Sequence, residues 1–312
     1  VETEKGEYLQ LVREVNGEQT ITLLPAVLKE ILLELPFPKS MKWGTNKQTF
    51  ARPIQWLLAV FGDKTVPFEH EGIDSGSLTR GHRFMAPDTI QIADINEYEA
   101  QLGAASVIAG FDKRRQTVLS EITGAAAGAS FLDDAQVAVD ETLLDTVTNL
   151  VEMPYGVCGG FDEKFLQLPE EVLVTSMREH QKYFTVVGKD GGLKPGFVAV
   201  NNTGVKDTAL TREGHERVLR ARLEDAFFFF EGDKKIKLED RLDDLSGIIF
   251  QAKLGSVQEK TNRIVKLARL IGELVASNAV EDACRSALLC KADLITDMVG
   301  EFPSLQGVMG GA

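Results

Sequence analysis

The periodicity of apolar residues changes near residue 205, and this change limits the folds available to the chain. Before it, short apolar stretches with alternating polarity are separated by glycine- and proline-rich turns, as expected where strands and helices mix. After it, apolar residues recur every three or four positions, which is typical of amphipathic helices. The sequence therefore predicts an α+β chain whose last third is helical.

Turn and capping signals place the individual elements. The predicted helices cover residues 20–35, 96–103, 112–122, 141–151, 169–183, 216–231, 257–276 and 281–299. The predicted strands cover residues 54–61 and 65–68 around a Gly62-Asp63 turn, and residues 184–188 and 196–201. From residue 216 onward the pattern predicts no strand. Pro25 is expected near the first turn of the first helix.

The net charge of −13 argues against a general nucleic-acid coat protein. The charge is unevenly distributed, because residues 35–87 carry more basic than acidic residues and residues 35–62 carry no acidic residue. This segment is the best candidate for contact with a polyanion. The alternative is a set of solvated lysines around a hairpin.

The sequence also argues against a membrane protein and against a zinc-binding protein. No apolar run reaches the length of about 20 residues that spans a bilayer, so no membrane contact is expected. The three cysteines, Cys158, Cys284 and Cys290, lack the spacing of a zinc site. An odd number of cysteines fits the reducing cytoplasm, where each is expected to be a small buried residue.

A basic segment follows the predicted hairpin. Gly81 allows the backbone to bend there, so that its neighbours present hydrogen-bond donors at one place. These neighbours are Arg80, His82 and Arg83. The planar guanidinium of arginine suits a phosphate or a base edge. The alternative is a tight turn in which the arginines pair with Glu69 or Glu71.

The helix predicted over residues 216–231 carries charged side chains on two sides. Arg217 and Arg220 are expected to face solvent, another subunit or a phosphate. Arg222 and Asp225 lie three residues apart on the apolar side and are expected to form a partly buried ion pair. Such a pair fixes geometry more than it adds stability.

The segment over residues 289–310 is the most distinctive part of the sequence. Read as a helix that Gly300 and Pro303 end, it places Asp293 and Asp297 one turn apart, opposite the apolar residues. Like charges at this spacing repel weakly, so a nearby cation or donor is expected. A structural or RNA-facing role is predicted for both. Lys291, between apolar positions, is expected to be held by a partner.

The sequence lacks the common catalytic motifs. It contains no GxxxxGK[ST] phosphate loop, no GxGxxG after a strand and no Ser-His-Asp arrangement that the spacing would support. None of the four histidines is followed by aspartate, so no metal-binding His-Asp pair is present. The sequence therefore assigns no catalytic residue and no metal ligand.

Six blocks of the chain stand out. They are LPFPKSMKWG (35–44), FARPIQWLLAVFGD (50–63), SGSLTRGHRF (75–84), TSMREHQKYF (175–184), ERVLRARLEDAFFFFEGD (216–233) and LCKADLITDMVGEFPSLQGVMG (289–310). They resemble blocks of the β subunit of bacterial tetrameric glycyl-tRNA synthetase and occur in the order of that family. Together they span nearly the whole chain. The resemblance indicates a middle fragment of the β subunit that lacks the anticodon-binding region.

The resemblance implies three domains. Residues 1–45 would end a preceding N-terminal domain, residues 46–205 would form a module like B3/B4 of the phenylalanyl enzyme, and residues 206–312 would begin an HD-like helical domain.

The resemblance also implies a non-catalytic subunit that positions tRNA(Gly) in a cytoplasmic α2β2 heterotetramer and does not bind DNA. The α subunit would join glycine to tRNA with ATP and Mg²⁺, and the fragment itself would hold no cofactor. The candidate tRNA contacts are Arg80, His82, Arg83, Arg217, Arg220 and Lys291.

Two other functions stay open at this point. The B3/B4 fold can host editing and HD folds can cleave phosphoesters, so the chain could be an editing-like hydrolase or a phosphohydrolase. Against this stand the missing His-Asp pair and the small size of glycine, which makes an editing step dispensable. The other alternative is a module that assembles with proteins only.

Overall fold

Backbone contacts divide the chain into two units, Val1–Ala109 and Gly110–Ala312. The computed structural model describes residues 2–3, 6–7, 13, 17–45 and 47–312. Both units contain helices and strands, which confirms the predicted α+β class. Among the helices described, none is both long and apolar enough to pass through a bilayer.

Among its described residues, the first unit contains short strands and two α-helices. In chain order they are β1 (Glu2–Thr3), β2 (Gly6–Glu7), α1 (Thr20–Glu34), β3 (Leu57–Leu58), β4 (Val60–Phe61), β5 (Lys64–Thr65), β6 (Glu69–His70), β7 (Ile73–Gly76), β8 (Leu78–Arg80), β9 (Thr89–Gln91) and α2 (Tyr98–Ala104). β7 pairs in parallel with β3 and antiparallel with β6, whereas β1–β2, β4–β5 and β8–β9 are antiparallel pairs.

The predicted turn at Gly62-Asp63 is confirmed, because Phe61 of β4 pairs with Lys64 of β5. Gly62 has a φ of 62°, which glycine adopts without the steric cost that other residues incur. The strands on either side are shorter than predicted. α1 begins at Thr20 as predicted, and Pro25 lies inside the helix just after its first turn.

The second unit contains a four-stranded sheet with helices on both faces. Its elements are α3 (Phe111–Ala127), β10 (Gln136–Val137), α4 (Glu141–Leu150), β11 (Tyr155–Gly160), α5 (Glu170–Thr175), β12 (Phe184–Val187), β13 (Leu193–Asn201), α6 (Thr208–Asp233), β14 (Ile249–Gln251), β15 (Gly255–Ser256), α7 (Val257–Val275), α8 (Val280–Leu289), α9 (Asp297–Glu301) and α10 (Val308–Gly311). The strand order is β10-β12-β13-β11, and all pairs are antiparallel.

Strand β13 contributes to two hydrophobic clusters, because alternate side chains point to opposite faces of a sheet. Val198 packs with side chains of α3 and α4. Phe197 and Ala199 pack with side chains of α5, α6 and α9. The cluster that contains Phe197 and Ala199 therefore joins residues from both sides of residue 205. This packing does not locate domain boundaries of the family, so the boundaries near residues 45 and 205 stay predictions.

The sequence did not predict β11, because glycine is unfavourable in strands. Its glycines allow close packing instead. A Cβ added at Gly156 would lie 2.5 Å from the carbonyl oxygen of Glu121 in α3. A Cβ at Gly159 would lie 2.5 Å from the Phe197 ring. Helix α3 can approach the sheet only because Gly156 has no side chain, and the Phe197 ring of β13 occupies the space that a side chain at Gly159 would fill.

Two predictions for the last third are wrong. A short hairpin, β14–β15, occurs where no strand was expected. The helix predicted over residues 281–299 is broken into α8, a 3₁₀ turn over Ala292–Ile295 and α9. Thr296 is extended, and its hydroxyl accepts from the backbone N–H of Val299 at 3.2 Å, which begins a new helix. Gly300 is not left-handed, and α9 ends at Glu301.

Candidate functional site

The basic loop, which we define as residues 80–86, begins at the last residue of strand β8 and is fixed to the backbone after α2. The N–H of His82 donates to the carbonyl of Ala105 at 2.9 Å, and the N–H of Ala86 donates to the carbonyl of His82 at 2.9 Å. Gly81 is needed here because a Cβ would lie 2.6 Å from both the Ala105 Cβ and the Ala86 carbonyl oxygen. The loop is therefore tightly packed at its base.

His82 lies in the interior rather than on the surface of the basic loop. Its side chain is 1% exposed, and its Nδ1 accepts from the N–H groups of Phe84 and Met85, each at 3.2 Å. The prediction that His82 presents a donor beside the arginines is therefore not supported by its position. The ring instead shapes the loop that carries them.

Arg80 and Arg83 are exposed and lie against aromatic rings. The Arg80 Cζ is 5.5 Å from the centroid of Trp56, and the Arg83 Cζ is 5.8 Å from the centroid of Phe84. Stacking of this kind orients a guanidinium while its N–H donors stay available. Phe84 itself is 76% exposed.

The alternative, in which these arginines pair with the acidic residues of the hairpin, is not observed. Glu69 pairs with Lys29 at 3.7 Å, and Glu71 accepts from the backbone N–H of Lys47 at 3.3 Å. Within the described part of the chain, neither Arg80 nor Arg83 forms an ion pair with a carboxylate. Their charges are therefore not neutralised by described neighbours.

Arg217 and Arg220 are exposed on α6, as predicted. The buried stripe of this helix consists of Leu219, Leu223 and Ala226. Arg222 and Asp225 lie outside this stripe and are exposed, so the prediction of a partly buried pair between them is wrong. Arg222 instead lies 3.8 Å from Glu301 of α9.

Two distinctive sequence blocks meet in the second unit. The block over residues 175–184 contains a π-helix over Ser176–Gln181, a rare form that is often found at functional sites. The His180 ring meets Phe302 edge-on with centroids 5.4 Å apart, and the Ser304 hydroxyl donates to Glu179 at 3.2 Å. Lys182 ends the π-helix in a left-handed conformation with φ of 58°.

A polar cavity of about 370 Å³ lies beside the π-helix. Arg178 lines it, 3.5 Å from Asp140 and 3.4 Å from Glu179. The ammonium group of Lys182 donates to the Glu179 carbonyl at 3.0 Å. Both positively charged side chains that line the cavity, Arg178 and Lys182, therefore already have partners among the described residues.

A half-buried chain of hydrogen bonds joins the end of the π-helix to α6. The Tyr183 hydroxyl lies 2.8 Å from Nδ1 of His215, and Nε2 of His215 lies 3.1 Å from Oδ1 of Asn201. The amide oxygen can only accept, so Nε2 carries the proton and Nδ1 accepts from the tyrosine. Burial lowers the pKa of His215 and raises the pKa of Tyr183 to about 12.

Asp233 and Arg241 form a buried ion pair that the sequence analysis missed. Arg241 is 7% exposed, and its Nη2 donates to Asp233 Oδ1 at 2.9 Å. The Asp233 carboxylate also accepts from the backbone N–H groups of Asp297 and Met298, at 3.0 and 2.9 Å. The pair therefore fixes the start of α9 to the end of α6. The sequence analysis missed the pair because charged residues are normally expected to be exposed.

The acidic and basic residues of the C-terminal block have different environments. Asp293 is 2% exposed and accepts from the backbone N–H of Gly307, which is a structural role. Asp297 is exposed and begins α9. Lys291 is half-buried and forms no ion pair with a described carboxylate. In the described ranges, no group of three or more His, Cys, Asp or Glu side chains could hold a metal ion.

Comparison with known proteins covers the whole chain. The family model described as "Glycyl-tRNA synthetase beta subunit" matches residues 1–312. A glycine–tRNA ligase beta subunit of Syntrophus aciditrophicus is 46% identical over 310 residues, which cover 99% of this chain and 44% of that protein. The beta subunit of Desulfatibacillum aliphaticivorans is 47% identical over 312 residues, which cover 100% of this chain and 45% of that protein. The chain thus spans less than half the length of these relatives.

Proposed function

Because the chain belongs to the glycyl-tRNA synthetase beta subunit family, we propose that it is the part of a glycine–tRNA ligase that positions tRNA(Gly) and performs no chemistry itself. Its partner is the α subunit, in an α2β2 heterotetramer in the cytoplasm. The α subunit uses ATP and Mg²⁺ to join glycine to the tRNA. The β chain orients the RNA through phosphate and shape contacts, which RNA recognition favours over readout of duplex bases.

The observation that carries this proposal is the environment of Arg80 and Arg83. Both guanidinium groups are exposed, lie against aromatic rings and have no carboxylate partner among the described residues. They stand on a loop whose backbone is fixed by hydrogen bonds and by the close packing of Gly81. A preorganised pair of this kind suits an RNA backbone, with Trp56 and Phe84 available for stacking.

Arg217 and Arg220 on α6 supply a second candidate contact in the other unit, and Lys291 a third. The proposed domain organisation remains a B3/B4-like module over residues 46–205 and the start of an HD-like domain over residues 206–312. The four-stranded sheet before residue 205 and the succession of helices after it support this organisation.

The test combines Arg80→Ala and Arg83→Ala in the full-length polypeptide and assays it with the α subunit. We expect the KM for tRNA to rise about tenfold, the equivalent of about 1.4 kcal/mol. The dependence of log affinity on log salt concentration should become shallower by about two, since two phosphate contacts are lost. Formation of glycyl-adenylate should not change.

Arg269→Ala is the matched control, because Arg269 is also an exposed arginine but pairs with Glu281 at 2.9 Å. It should leave tRNA binding unchanged. Loss of adenylate formation in the double variant would mean that the arginines maintain the subunit interface or the fold. A wild-type protein that shows no salt-dependent binding of tRNA would favour the protein-only assembly module. A phosphodiesterase activity of the purified chain would favour the hydrolase.

A further inference from the structure

The outer face of α7 is apolar and uncovered. Five side chains on it are between 56% and 80% exposed: Leu267, Leu270, Ile271, Leu274 and Val275. At 100° per residue, four of them, Leu267 to Leu274, project to the same side of the helix as Lys260. Exposed apolar residues that occur singly are ordinary, but a continuous stripe marks an interaction surface.

This stripe borders the face by which α7 packs in its own unit, but its side chains are exposed, unlike those of that face. Val257 and Thr261 are buried on that inner face, and Val265 accepts from the Cys284 thiol of α8 through its backbone carbonyl at 3.9 Å. A helix that is apolar on two faces is normally covered on both. In α7 only the inner face is covered by described residues.

The hairpin β14–β15 extends the stripe at its N-terminal end. The Lys260 ammonium lies 3.9 Å from the centroid of Phe250, and the neighbouring Ile249 is 79% exposed. The hairpin is held in shape, because the Gln251 side chain accepts from the N–H groups of Lys253 and Leu254 at 2.7 and 3.0 Å. An apolar surface that is already ordered loses little entropy when it binds.

The charges along one edge of the stripe indicate what could bind there. Arg263 and Lys266 are exposed and form no ion pair with a described carboxylate, whereas Arg269, further round the polar side of the helix, is paired with Glu281. Glu273 lies further along the same edge and is exposed. A partner should therefore bring carboxylates to the first half of the edge. The stripe from Lys260 to Leu274 is roughly 21 Å long, which matches a helix of about four turns.

We propose that the outer face of α7 binds an amphipathic helix with carboxylates along one edge, supplied by the part of the family's polypeptide that this chain does not span. The relatives are more than twice as long as the matched region, so this source is available within one polypeptide. A helix from the same polypeptide also has a high effective concentration, which favours it over a separate partner. This inference does not depend on RNA binding.

Thiol labelling in the full-length polypeptide tests the proposal. Ile271→Cys reports the outer face, and Asn262→Cys, at an exposed position on the polar side of the same helix, is the matched control. Both carry Cys290→Ala, because Cys290 is exposed. We expect the label to react at least tenfold more slowly at position 271 than at position 262.

Three results would overturn the proposal. Equal labelling of the two positions in the full-length polypeptide would mean that the stripe stays uncovered. Protection that appears only when the α subunit is added would assign the face to the other subunit. Protection that increases with protein concentration would assign it to a second copy. Thermal unfolding of both variants checks that each is folded before labelling.

Discussion

At the scale of single residues, three glycines are required because a side chain at their positions would not fit. Gly81, Gly156 and Gly159 all lie where a Cβ would come within 3 Å of other atoms. The sequence analysis identified Gly81 as a bend, but its requirement comes from close packing rather than from a positive φ. Contacts between residues far apart in sequence impose this constraint, so a local pattern could not predict it.

Gly81→Ala should destabilise the first unit by about 1–3 kcal/mol, the usual cost of forcing extra volume into a packed site. The atoms that a new Cβ would meet include two backbone carbonyl oxygens, which cannot simply rotate away. Urea unfolding measures the effect. Gly103→Ala is the control, since a Cβ there meets nothing within 4 Å and the position is helical. It should be neutral or slightly stabilising; equal losses in both variants would contradict this account.

His215 should make stability depend on pH. Its pKa is lowered in the folded state by burial, so the unfolded chain binds the proton more tightly. The contribution of His215 to the free energy of unfolding should therefore be complete above pH 6.5. Below pH 6.5 the free energy of unfolding should fall, by less than about 1.4 kcal/mol per pH unit. Denaturation between pH 7.5 and 5.5 measures this slope. His215→Gln should flatten it, and an unchanged slope in this variant would contradict the assignment to His215.

At the scale of elements, the C-terminal block shows how capping can override periodicity. Its apolar spacing favoured one helix over residues 281–299, but Thr296 caps a separate helix and Asp293 turns inward to accept from Gly307. Thr296 was a visible N-cap signal in the sequence. The buried Asp233–Arg241 pair that secures this arrangement joins different elements, and no local pattern reveals it.

Asp233→Ala should destabilise the second unit by about 3–5 kcal/mol, because it leaves the buried Arg241 charge without its partner. It also removes the acceptor for two backbone N–H groups of α9. Urea unfolding again provides the measurement. Arg285→Ala, which breaks the exposed pair with Glu239, is the control and should cost less than about 1 kcal/mol. A similar cost for both would show that burial does not matter here.

At the scale of the whole molecule, helices were easier to predict than the sheet. The long periodic segments gave α6 and α7, whereas β11 was hidden by its glycines and β14–β15 by its brevity. Of the candidate contacts, Arg80, Arg83, Arg217 and Arg220 are exposed as expected, while His82 is buried. Burial of a polar side chain depends on tertiary packing, so residue type alone could not separate His82 from its neighbours.

The two-sided role of β13 has a consequence for how sequences of this kind can diverge. Phe197 and Val198 are neighbours in sequence but belong to different hydrophobic clusters. Inserting or deleting one residue in this strand would send each side chain into the wrong cluster. The turn before this strand contains Gly191 at a φ of 82°, and a Cβ added there would meet no atom within 4 Å, so packing does not fix the length of this turn. Among related sequences, insertions and deletions should therefore occur in that turn and be absent from the strand.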